Sequence, residues 1–412
     1  MLDQERRHSS LAERERLGPV LTLDLVAPSL VLAHAELGRR VRKPARQAIA
    51  ARLAKTAPDA FAVQIRCVRS CRTLMAARSA DRRVPMLVRR GLSELLACVE
   101  AWGDAAGVLA CVDGGEGRRP VRKSTSIPNA IDGVRLSSAE VALWAQDDNA
   151  GCQTGMLRRR DGSILAWHTE EDTIGFLDRP RLARFAVVGA EELYAFIYPY
   201  LLPGPAFGWS RTQFHAIDSL HTRRIQPVVG VLSGMAAWLV WRIGPALAAR
   251  EVLRALAPFI DGCAIHVVSN AAGGVTADSH EIAAQVVKSR HVAARAGSVS
   301  LQVNAVSEVS GPLAREEEMR PRSRVLYERR LERMRASALS LARGLDGGSP
   351  EAVLRMLSSR RGGTYAYANA DVKAHAVAIV SKDDLEVHVG SGPAHRADAY
   401  RPQRILSAPF EL

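Results

Sequence analysis

The sequence predicts an α+β protein in which helices lie outside packed sheets. Two observations carry that expectation. The first third of the chain places apolar residues at helical spacing, whereas from Cys152 onward the chain breaks into short strand-like runs punctuated by Gly, Asn and Asp turns. Two long helical patterns then interrupt the strand groups, as helix layers covering sheets require.

Taken in order, residues 31–55 (VLAHAELGRRVRKPARQAIAARLAK) and 84–112 (VPMLVRRGLSELLACVEAWGDAAGVLACV) repeat apolar side chains once per helical turn. Residues 113–136 form a Gly/Pro/basic stretch that reads as an exposed loop. CQTGMLRRR and SILAWHTEE follow as two strands around Asp161-Gly162. Further strands are expected at RFAVVGA, LYAFIYP, QFHAIDSL, CAIHVVSN, GVTADSHEI and SLQVNAV. Helices are expected over 231–257 and 323–346. TYAYANA, AHAVAIVS and LEVHVGSG close the chain as strands, the last two a hairpin around Lys382-Asp383-Asp384.

Composition narrows the function class. At 412 residues, 47% hydrophobic and 24% charged, the chain can bury a substantial core. The net charge of +13 is spread evenly, +7 over residues 1–151 and +6 over the remainder, which argues against a basic nucleic-acid tail. Dispersed Arg suits a solvated surface, an anionic substrate or a carrier protein. The opening MLDQERRHSSLAERERLG has no apolar core like that of a signal peptide. The longest apolar run, Pro227 to Trp241, falls short of the ~20 residues of a membrane span. A cytoplasmic protein with no membrane partner is expected. Six dispersed cysteines fit a reducing compartment, and Cys67 and Cys71 lack a second Cys/His pair at zinc-site spacing, so neither metal nor cofactor is expected.

One cysteine stands apart. Cys152 follows Gly151 at the point where the helical texture ends. A thiolate is a good nucleophile when a neighbour takes its proton. If the Gly151-Cys152 bond were cut, the new α-amine, with an ordinary pKa near ~8, could serve as that neighbour. By residue statistics alone, a lone Cys at a strand start is more often a core residue.

Ordered motifs along residues 35–405 change that balance. RRGLSELLACVEAWGDAAGV (89–108) has the form of a helical "EELRGIAEGAGV" pattern, and Gly151-Cys152-Gln153-Thr154 that of a "GCT" cleavage motif. DGSILAWHTEED (161–172) is similar to "DG…LxGHNED", and AFGWSRTQFHAIDSL (206–220) to "GFGxNExGL…NSL". Ala248 to Leu253 echoes "R.LL", SNAAGGVTADSHE (269–281) "D..G…VE", Gln302-Val303-Asn304 "HTN", Ser323-Arg324 "S..R" and Gly390-Ser391-Gly392-Pro393 "G.P". In this order the motifs resemble the acyl-coenzyme A:isopenicillin N acyltransferase family, self-processing cysteine N-terminal-nucleophile hydrolases related to the choloylglycine hydrolases.

The resemblance implies a four-layer αββα sandwich with a helical N-terminal segment. It implies autocleavage at Gly151-Cys152 into segments 1–151 and 152–412, the second being the catalytic core. Cys152 matches the nucleophile and Asn304 an oxyanion donor. Ser323 and Arg324 match an active-site pair, and Ser323 also suits a helix cap. The family's site carboxylate falls on Glu171, with Glu170 and Asp172 as replacements under a one-residue shift. Asp218 stands where the family has Asn; an ionised Asp cannot donate to an oxyanion, so that contact is absent or Asp218 acts otherwise. His168, His215 and His221 read first as packed or surface imidazoles, because an N-terminal cysteine needs no histidine. His168, Glu170 and Trp209 are the candidates for substrate contact.

The expected function is that of an amidohydrolase or acyltransferase working through an acyl-Cys152 intermediate on a small-molecule amide or acyl substrate. A coenzyme A or carrier-protein-linked donor and a role in secondary metabolism fit the resemblance, and a homo-oligomer is compatible with it. Two other readings stand beside it: an uncleaved enzyme with Cys152 as internal nucleophile, and a non-catalytic binding relative.

Overall fold

The computed structural model describes residues 21–112, 130–145, 151–172, 181–198, 202–204, 206–220, 233–244, 249–257, 262–270, 274–283, 286–303, 321–344, 348–358, 371–391 and 403–406. The fold is mixed α and β, with two large sheets.

The N-terminal third begins with a strand, β1 (Leu21–Ala27), that helical periodicity does not reveal. Helix α1 (Leu30–Leu53) starts where the Ser29 side chain accepts the Leu32 amide, a standard N-cap. Its residues Ala33, Leu37, Val41, Ala45, Ile49 and Leu53 are all buried, a stripe spaced by four that faces the core. Helices α2 (Pro58–Ala80) and α3 (Met86–Ala106) follow, and α2 carries Pro58 at its first turn, where no amide hydrogen bond is lost. A single 3₁₀ turn covers Val108–Cys111. A small hairpin, β2 (Ala130–Ile131) and β3 (Val134–Arg135), occupies part of the stretch expected to be loop. Helix α4 (Ser138–Ala145), buried at every residue, then leads toward Gly151.

From Gly151 the strands dominate. β4 (Gly151–Arg158) and β5 (Ile164–Asp172) form the expected hairpin. Its turn is fixed by Asp161, whose carboxylate accepts the Ser163 amide at 2.9 Å, and by Gly162 at φ +84°. Next come β6 (Arg181–Val187), β7 (Leu193–Ile197), β8 (Phe207–Trp209) and β9 (Gln213–Ser219). Helices α5 (Ser233–Ile243) and α6 (Ala249–Leu256) occupy the span expected as one helical segment. They precede β10 (Cys263–Ser269), β11 (Thr276–Ala283), β12 (Val286–His291) and β13 (Val299–Val303). After helices α7 (Pro321–Arg343) and α8 (Pro350–Ser358) come β14 (Asp371–Val380), β15 (Leu385–Ser391) and β16 (Gln403–Leu406). The β14–β15 hairpin turns at 381–384, closed by the Ser381 amide donating to the Asp384 carbonyl at 2.8 Å. The expected TYAYANA strand lies outside the described residues.

The eight-stranded sheet runs β1-β6-β7-β8-β9-β10-β11-β12, and the six-stranded sheet β13-β4-β5-β14-β15-β16. All pairings in both are antiparallel except β1 with β6, which is parallel.

Three apolar clusters hold the elements together. The largest joins helices α1–α6 to one face of the eight-stranded sheet, through residues such as Phe185, Ile197 and Ile265. The second brings the two sheets together: Met156, Ile164 and Ala166 meet Phe196, Phe207 and Phe214. The third sets Leu157, Leu165 and Trp167 against α7 and α8 through Met334, Ala338 and Val353. In β4, the neighbours Met156 and Leu157 therefore face different cores, as the two-residue period of a strand dictates. That alternation decides what surrounds Cys152.

Candidate active site

The hairpin register places Cys152 opposite Glu170 and Thr154 opposite His168. All four are even-numbered, like Met156, Ile164 and Ala166 in the inter-sheet core, and they form a polar patch at its end. Cys152 is 3% exposed, Glu170 3%, and Thr154 and His168 0%. So many buried polar groups require mutual hydrogen bonds.

They have them. The Cys152 thiol donates to Glu170 Oε2 at 3.1 Å, and His168 Nε2 lies 3.0 Å from the same oxygen. His168 Nδ1 lies 2.8 Å from Thr154 Oγ1. The eight-stranded sheet completes the cluster. The Tyr198 hydroxyl, just after β7, donates to Glu170 Oε1. Asp218 of β9 sets Oδ1 3.8 Å from His168 Nδ1, and its Oδ2 is 2.9 Å from His266 Nε2 of β10. The result is a buried line of alternating acid and imidazole, Glu170, His168, Asp218, His266, with the Cys152 thiol at one end. Burial pushes the Glu170 carboxyl above the usual carboxylate range, and hydrogen bonds from His168, Tyr198 and Cys152 oppose that rise. A carboxylate so raised is a stronger base toward a thiol than an exposed one.

The opposite face of β4 anchors the strand that carries Cys152. The Arg330 guanidinium of α7, itself buried, donates from Nε to Gln153 Oε1 at 3.2 Å. Gly155 lies opposite Trp167, and a Cβ at position 155 would stand 2.0 Å from the Trp167 ring. Only glycine lets the indole lie over the strand there.

The other expected residues are placed as follows. Gly151 begins β4 and pairs with Glu171, whose side chain lies outside the described residues. Asp172 pairs with Asp371 at the end of β5. Among the three adjacent acids, the described contact to Cys152 is made by Glu170. Ser323 and Arg324 lie in the first turns of α7, again with side chains outside the described residues, and Asn304 and His221 are outside them altogether. Trp209 is buried in the inter-sheet core, stacked on Tyr194 at 5.1 Å between ring centroids. His215 is a packed imidazole whose Nε2 meets the Gly204 carbonyl at 3.2 Å, and burial lowers its pKa to about 4. His168, in contrast, sits in the middle of the cluster.

Thr154, Tyr198, His266 and Arg330 were not foreseen. Thr154 was within reach, since it shares the strand face of Cys152; the other three are brought in by tertiary packing. Among the described residues, Cys152, His168 and Glu170 also offer metal-ligating atoms all within 4.8 Å of one another. No helix among the described residues is long and apolar enough to cross a membrane. No protein-family model matches this sequence, and no curated protein matches it.

Proposed function

We propose that this protein is a cysteine amidohydrolase or acyltransferase of the N-terminal-nucleophile type, its sheets and flanking helices forming the four-layer αββα sandwich of that class. The observation that carries the reading is the Cys152 thiol hydrogen-bonded to a buried carboxyl that His168 and Tyr198 hold in place. A structural cysteine needs no such partner; a nucleophile does.

In the self-processing step, Sγ of Cys152 attacks the Gly151 carbonyl carbon and the thiol proton passes to Glu170. The C–N bond breaks as the Cys152 nitrogen takes up a proton, leaving a thioester that water hydrolyses. The products are a Gly151 carboxylate, a free α-amine and the regenerated thiol. In turnover the same sulfur attacks a substrate carbonyl, the leaving group takes the proton, and acyl-Cys152 passes its acyl group to water or an amine. The dispersed positive charge suits a coenzyme A or carrier-protein donor.

Glu170 supports a second reading. It already supplies a proton acceptor in the intact chain, so Cys152 could act without cleavage. Intact mass of the purified protein separates the two. Self-processing gives chains of 151 and 261 residues, the larger beginning at Cys152, and Cys152→Ala gives one uncut chain. A single full-length wild-type chain that an acylating probe labels at Cys152 establishes the uncut enzyme. An uncut chain that no such probe labels at Cys152, even after treatment with a chelator, overturns both.

A further inference from the structure

We propose that Cys152, His168 and Glu170 form a three-ligand zinc site that masks the Cys152 thiol. Thiolate, imidazole and carboxylate are the three ligand types zinc takes, and three protein ligands leave one tetrahedral position open. The geometry is close to what the ion requires. Sγ lies 3.1 Å, and His168 Nε2 3.0 Å, from the same Glu170 Oε2, with all three atoms inside 4.8 Å of one another. Zinc bonds of about 2.0–2.3 Å arranged tetrahedrally set ligands roughly 3.3–3.5 Å apart, so small side-chain adjustments admit the ion.

The surroundings supply what metal ligands need behind them. Thr154 Oγ1, 2.8 Å from His168 Nδ1, fixes the ring so that Nε2 faces the site. Tyr198 holds the second carboxyl oxygen of Glu170. Charge also balances: the dication meets one thiolate and one carboxylate in a buried setting, while the neutral imidazole completes the set. Binding displaces the thiol proton to solvent and ties up the sulfur lone pair that attack on a carbonyl requires. The soft sulfur favours zinc over magnesium or calcium, which select oxygen.

Binding itself does not depend on Cys152 being catalytic, although its meaning as a regulatory lock rests on the function proposed above. The test therefore reads metal and thiol directly. The full chain, stripped with a chelator and titrated with zinc, should retain one zinc per chain after desalting. Alkylation of Cys152, followed by peptide mapping, should slow at least tenfold with zinc and recover on chelation. Cobalt in place of zinc should give a thiolate charge-transfer band that Cys152→Ser abolishes. Thr154→Val should weaken zinc binding about 10–100-fold by loosening His168. Failure to retain zinc, or unchanged Cys152 alkylation in its presence, overturns the site, and the wild-type alkylation measurement needs no variant to fold. Zinc binding without any acyl-Cys152 would instead retain the site and remove the function proposed above.

Discussion

Replacing Gly155 by Ala tests the packing that holds the strand of Cys152. The added Cβ would lie 2.0 Å from Trp167 Cζ2 and 2.2 Å from Cε2, whereas an ordinary contact is 3.4–4 Å. Trp167 has no room to retreat: it is 0% exposed and sits among Leu157, Leu165, Met334 and Val353. Either the indole leaves its position or β4 and β5 separate. Overpacking of a core costs about 1–3 kcal/mol, and a clash this deep against a rigid bicyclic ring belongs at or above the upper end. The assay is urea denaturation followed by Trp fluorescence, with Gly274→Ala as control, since a Cβ there meets nothing within 4 Å. Gly155→Ala should lower the midpoint substantially while the control stays within about 0.5 kcal/mol of wild type. Cys152 lies three residues along the same strand, so its alkylation rate should change too. A Gly155→Ala protein as stable as wild type would refute the β4–β5 register on which the site rests.

Other outcomes follow from the site and its supports. Glu170→Gln preserves volume and removes the proposed proton acceptor, so self-processing or acylation of Cys152 should slow about 10²–10⁴-fold in a time course read by mass; an unchanged rate removes Glu170 from the mechanism. Stability should decline in acid. His34, His215 and His280 have folded pKa values lowered to about 4 by burial, so the unfolded chain binds more protons once the pH falls below about 6.5. Each contributes up to about 1.4 kcal/mol per pH unit between 6.5 and 4. Glu170, raised by burial, works in the opposite sense: its stabilising contribution is present in acid and lost as pH rises through its folded pKa. Denaturation midpoints at pH 7, 6 and 5 should fall in that order, and His34→Gln should flatten the trend. Removing the Arg242–Glu94 pair, 2.8 Å long but about one-third exposed on both sides, should cost no more than about 1 kcal/mol in Glu94→Gln.

The hairpin carrying Cys152 was readable because strand texture and the Asp161-Gly162 turn both mark it. Its register was not. Counting outward from a two-residue Asp161-Gly162 turn pairs Cys152 with Glu171, the residue that motif matching also gives. The observed loop takes one residue more, with the Arg159 amide donating to the Ser163 carbonyl at 2.9 Å, so Cys152 faces Glu170, and a shift of one residue changes everything a side chain meets. His168 reads from the sequence as a substrate contact or a packed imidazole rather than a catalytic group, because an N-terminal cysteine needs no imidazole, yet two-residue spacing already puts it on the face of Glu170. Tyr198, Asp218 and His266 reach the cluster from the other sheet, and no local pattern reports how two sheets stack. The short strand β8 and the edge strands β1, β12 and β16 were missed for a related reason. Pairing partners define them more than composition does, as the polar sequence VVKSRH of β12 illustrates.

The parallel pairing of β1 with β6 has a consequence for how the polypeptide can be divided. Leu21–Ala27 runs alongside Arg181–Val187, α1 packs on both strands, and α1 to α4 share one apolar cluster with that sheet, so the stretch before Cys152 is woven into the body that follows it. A recombinant fragment starting at Cys152 would present a raw sheet margin and a bare oily flank, conditions that favour clumping over folding. The two stretches should behave as complementing halves, soluble when co-expressed and not apart. A break between them would register on a denaturing gel while leaving the native particle its original size.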